Sequence, residues 1–106
     1  MYDNKKTVID FTDRQLNERM YSKFASDMRS LMLDLHFMGL DVPLTVKGTQ
    51  QQVEAFFQAL KGEKRYMDSY LKYGLGDQRT MSNRHDLMGA VRGFEKETGL
   101  RWPFKN

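Results

Sequence analysis

Leu16, Met20, Phe24, Met28, Leu31, Leu35 and Met38 recur at steps of three and four, the period of one helical face. Thr12 with Gln15 has capping-box spacing at the front of this run, and Gly39 supplies its stop. A helix over residues 13–38 would be about 39 Å long. A 106-residue globule is only about 33 Å across. Such a helix must bend, break or project.

Its two halves differ. Around Arg14 to Ser26 one face is apolar and the other polar, whereas six of the eight residues of Leu31-Met32-Leu33-Asp34-Leu35-His36-Phe37-Met38 are apolar and point in nearly every direction. A helix apolar all round is buried all round. A small sheet covers one side only, so other helices or a second copy must cover the rest. The expectation is a homo-oligomer, first of all a homodimer, with Leu33 and Phe37 in its interface.

The remaining elements are shorter. Thr7-Val8-Ile9-Asp10-Phe11 reads as a strand with Thr7, Ile9 and Phe11 on one face, and Val42 to Gly48 as a second, half-buried strand with Pro43 suiting an edge. Thr49 and Gln52 form another capping box before the apolar face Val53, Phe56, Phe57 and Leu60. Gly62 is expected to kink or end that helix, with a further segment from Glu63 to Tyr73 stopped at Gly74. Thr80 or Ser82 starts the last helix, whose inner face is Leu87, Met88, Val91 and Phe94, and Gly99-Leu100 stops it. Leu100 to Phe104 is a third short strand or an arm packed on the core. The class is α+β, a helix-dominated single domain over residues 1–106 in the order β-α-β-α-α with a two- or three-stranded sheet.

Zero cysteines exclude disulfides, thiol nucleophiles and thiolate metal sites. No apolar run reaches the about 20 residues of a membrane span, and Met1 to Lys6 is not followed by a signal-peptide core. The expected setting is cytoplasmic. His36 and His85 stand in no metal-ligand spacing, and His36 reads as a partly buried, hydrogen-bonded histidine. Asp10 and Asp13 offer two carboxylates with no third acid or phosphate clamp at fixed spacing. Lys47-Gly48-Thr49 is a tight β–α turn and no phosphate loop, since it holds one glycine with the lysine ahead of it. No catalytic residue, metal site or cofactor is expected, and the chain reads as a non-enzyme.

Charge is unevenly spread. Residues 1–60 carry 7 basic and 8 acidic groups, and residues 61–106 carry 10 basic and 6 acidic groups. From Lys61 to Tyr73 the wheel places Lys61, Arg65 and Lys72 on one stripe, Tyr66, Tyr70 and Tyr73 on another, and Met67 and Leu71 toward the core. Basic groups beside aromatic rings suit a protein interface and also nucleic-acid backbones with stacked bases. They suit equally a core edge with wet hydroxyls. Asp68 and Glu63 within the stretch weaken the nucleic-acid alternative. Gly89 and Gly93 stand one turn apart in an otherwise good helix, which calls for a close backbone approach, by the long helix or by a second subunit. The expected function is a small regulatory or inhibitory protein that binds another protein, one with an acidic surface, through Lys61, Arg65, Tyr66, Tyr70, Lys72, Tyr73, Arg79 and Arg84. Nucleic-acid binding through the same basic half is the alternative.

Overall fold

The computed structural model describes residues 7–12 and 17–104, apart from the side chain of Leu40. Strand β1 (Thr7–Asp10) leads to helix α1 (Glu18–Met38), a 3-10 turn at Gly39–Asp41, strand β2 (Leu44–Lys47), and helices α2 (Gln50–Tyr73) and α3 (Gln78–Thr98). The helix-dominated α+β order β-α-β-α-α is as expected, and the sheet has two strands. They run parallel, with Thr7 opposite Leu44 and Ile9 opposite Val46, because a helical crossover returns the chain in the same direction. Ile9 and Phe11 are buried while Val8 and Asp10 face out, the period-two pattern of a one-sided strand.

Helix α1 is shorter than the periodicity suggests. Asn17 caps it by accepting a hydrogen bond from the Met20 N–H, and its 21 residues span about 31 Å, within the width of the globule. The expected start at Thr12 and Gln15 falls partly outside the described residues. Thr12 itself spends its N–H and hydroxyl on the Asp10 carboxylate. The chain's own elements do not bury the end of α1 all round. Leu31 and Leu35 are fully buried, but Leu33 is 64% and Phe37 78% exposed. His36 is exposed too, edge-on to the Phe37 ring.

Helix α2 continues unbroken through Gly62, which does not end it. A Cβ at that position would meet Leu87 of α3, its Cδ1 at 3.3 Å and its Cα at 3.4 Å, so the glycine serves helix–helix approach. Continuing the wheel past Gly62 carries Glu63 into the core and leaves Lys64 partly buried, ion-paired to Asp68. Gly74 stops α2 at φ 86°, a conformation that favours glycine. Helix α3 begins earlier than expected, because Asp77 and neither Thr80 nor Ser82 is the cap.

α2 and α3 form an antiparallel hairpin in which Tyr73 meets Arg79, Ser69 meets Asn83, and Gly62 meets Leu87. α1 packs across its base. Phe24 stacks on Phe94 at 5.5 Å, and Leu35 shares a cleft of about 310 Å³ with Val42, Leu44, Phe57 and Leu60. The C-terminal residues are an arm and no strand. Trp102 is buried against Phe56 and Phe94, with its indole N–H donating to Glu63 Oε1 at 2.8 Å and its backbone N–H to Glu95 Oε2 at 2.9 Å. No helix among the described residues is long and apolar enough to cross a membrane.

Candidate protein-interaction surface

The hydrophobic core takes no side chain from residues 67–86. Among the described residues, the last turns of α2, the loop and the first turns of α3 therefore pack on each other, outside that core. Polar contacts do the holding. The Asn83 amide donates to the Ser69 hydroxyl. Arg79 Nε and Nη2 donate to Asp77 at 3.0 and 3.1 Å, while its guanidinium lies 3.4 Å from the centre of the Tyr73 ring. The Arg79 hydrogen bonds pull the Asp77 carboxyl down to about 2, and the same pair raises Arg79. Asp77 also accepts the Arg79 backbone N–H, so one carboxylate both caps α3 and fixes the loop. Thr80 is fully buried, and its hydroxyl has no partner.

Four large apolar side chains are exposed toward the hairpin end, among polar and charged ones such as Lys72, Gln78, Arg79 and Ser82. Tyr70 is 45%, Leu71 60%, Leu75 57% and Met81 59% exposed. Leu71 was expected in the core, but α1 does not extend far enough along α2 to cover it. The tyrosine stripe divides. Tyr66 packs against the core, Tyr73 lies half-buried under Arg79, and only Tyr70 is open.

The basic stripe keeps its place. Lys61, Arg65 and Lys72 are exposed along the solvent side of α2, with Lys72 Nζ 5.3 Å from the Tyr73 ring centre. Arg84 is exposed on α3, about 100° around the helix from Asn83, on the side of Met81 and Met88. Arg79 stands apart from these, since Asp77 neutralises it. Lys64 is likewise held, by Asp68 at 2.6 Å.

Gly89 and Gly93 answer to a different cause than expected. Both are exposed, a Cβ at Gly93 would meet nothing within 4 Å, and one at Gly89 only the Arg92 side chain at 4.0 Å. Packing on α1 is not their reason. Gly93 borders an open recess with Gln51, Glu54, Ala55 and Gln58, away from Leu33 and Phe37 on α1.

Among the described residues no group of three or more His, Asp or Glu side chains is placed to hold a metal ion. Asp10 is engaged with Thr12, whose hydrogen bonds lower its carboxyl, and Asp13 lies outside the described residues. Sequence reasoning missed Leu75 and Met81, for which no periodic signal exists, and Asp77, whose place after Gly76 was a legible capping signal. No family model, curated protein or solved structure matches this chain.

Proposed function

We propose that this chain is a small, non-enzymatic regulatory or inhibitory protein that binds another protein through the end of the α2–α3 hairpin. One observation carries the reading: Tyr70, Leu71, Leu75 and Met81 are each exposed along a hairpin end from which the core takes no side chain. Several large apolar side chains left exposed among polar ones suit a contact surface. Tyr70 is the rigid anchor, and methionine and leucine adapt around it. Lys61, Arg65 and Arg84 have no ion pair among the described residues and steer the surface toward an acidic partner.

Phosphate binding is the less favoured use of the same half. Asp68 and Asp77 occupy two of its cations, Lys64 and Arg79. Of Lys61, Lys64, Arg65, Lys72, Arg79 and Arg84, that leaves four, which corresponds to a log–log salt slope near −4 on duplex DNA.

Affinity capture from the native host tests the proposal when done with wild type, Tyr70→Ala and Leu71→Ala side by side. The expected result is one stoichiometric protein, lost from both variants while their melting temperatures stay at the wild-type value. Equal recovery by all three, or recovery of nuclease-sensitive material alone, overturns it.

A further inference from the structure

Met81 closes the first turn of α3 and is 59% exposed. Among the other described methionines Met38 is 39% exposed, Met20, Met32, Met67 and Met88 are half-buried, and Met28 is closed off inside the core. Oxidation to the sulfoxide follows exposure, because the oxidant must touch the sulfur. The fold therefore ranks these side chains, with Met81 first and Met28 last.

The place of Met81 also decides what an added oxygen does there. The core takes no side chain from residues 67–86, so a polar atom on Met81 enters no packed interior. The same oxygen on Met28 would lie among fully buried apolar side chains and disrupt them. Arg84, three residues on, is exposed and has no ion pair or hydrogen bond among the described residues. Side chains three apart on a helix are neighbours, so its guanidinium can donate to an oxygen carried by the Met81 sulfur.

We propose that Met81 is an oxidation site, at which a hydroperoxide forms methionine sulfoxide in the folded chain and thereby weakens binding at the hairpin end. The step needs no protein group beyond the thioether. A sulfur lone pair attacks one oxygen of hydrogen peroxide, the S–O bond forms as the O–O bond breaks, and hydroxide leaves. That hydroxide takes the proton of the new S–OH, which leaves S=O and one water. Sulfur is oxidised by two electrons and the peroxide is reduced by two. A pliable apolar side chain has become a polar one. Arg84, one of the cations that steer an acidic partner, is drawn onto it. The effect on binding rests on the reading of the hairpin end as the contact surface, whereas the site itself does not.

Dilute hydrogen peroxide on the full chain, followed over time by peptide mass mapping, reads the site. Met81 should take up oxygen at least about fivefold faster than Met20, Met32, Met67 or Met88, and ahead of Met38, with Met28 last. The singly oxidised chain should keep the urea midpoint of the untreated one. Methionine sulfoxide reductases should remove the oxygen again. Binding is read by capture from the native host with wild type and Met81→Leu, each before and after peroxide. Treated wild type should recover at least about fivefold less of the captured protein, while treated Met81→Leu, which has no sulfur there, recovers as much as before. Met81→Gln is polar without any oxidant and should be weakened before treatment. Oxygen spread evenly over the methionines, or a midpoint that falls with the first oxygen, overturns the site. Equal losses from treated wild type and treated Met81→Leu overturn its effect on binding. If untreated wild type captures nothing, the surface reading fails and that effect with it, while the peptide map still decides the site.

Discussion

Trp102 is held by two carboxylates, Glu63 on its indole N–H and Glu95 on its backbone N–H, and its ring sits edge-on to Phe94 at 5.2 Å. Trp102→Ala removes a buried aromatic and orphans Glu63, so it should cost about 3–5 kcal/mol in urea denaturation. Burial pushes the Glu63 carboxyl above its ordinary 4.5, against the opposing pull of the Trp102 hydrogen bond. The folded chain therefore binds a proton more readily than the unfolded one just above pH 4.5. That contribution to stability is full below 4.5 and is lost as pH rises through the folded value. Glu63→Gln keeps an acceptor for the indole without the charge. It should be at least as stable as wild type at pH 7 and lose this advantage as pH falls toward 4.5. Asp77 has the opposite sign in a lower window, since its stabilisation is present above 3.8 and fades as pH falls toward about 2. Thr80 offers a simpler test. Its buried hydroxyl has no partner, and Thr80→Val is nearly isosteric, so the variant should gain about 1 kcal/mol.

Helices carry most of what could be read from the sequence, because the capping and stop signals are local. Thr49 with Gln52, Gly39, Gly74 and Gly99 all sit where the spacing places them. Both strands follow from alternation, and the arm was legible to the extent of its alternating Leu100 and Trp102. Gly62 defeated the reading because its role is set by Leu87, twenty-five residues away, and no local pattern contains that contact. Gly89 and Gly93 defeated it in the opposite sense, since they look like packing glycines and face open space. Each is an exposed helical glycine, so Gly89→Ala and Gly93→Ala should raise stability by about 0.5–1 kcal/mol apiece, read as a higher urea midpoint.

The surfaces of the whole molecule were only half legible. Charge asymmetry located the basic half, and helical spacing located the stripe of Lys61, Arg65 and Lys72. Periodicity names faces without saying what covers them, so it assigned Leu71 to the core and the end of α1 to full burial. Both faces stay open within the chain for one reason: α1 packs across the base of the hairpin, so it leaves its own outer face and the hairpin end uncovered by the chain's other elements. The surplus of cations near the hairpin end should make association with an acidic partner faster at low salt, with the on-rate falling as ionic strength shortens the about 10 Å screening length at 0.1 M. Site-specific photo-cross-linking in the host cell tests the central claim most directly. A photoreactive residue at Leu71, Leu75 or Met81 should trap one nuclease-resistant protein adduct that the same residue at Gln51 does not. Adducts from Gln51 alone, or none from the hairpin end, would contradict the assignment of that end as the binding surface.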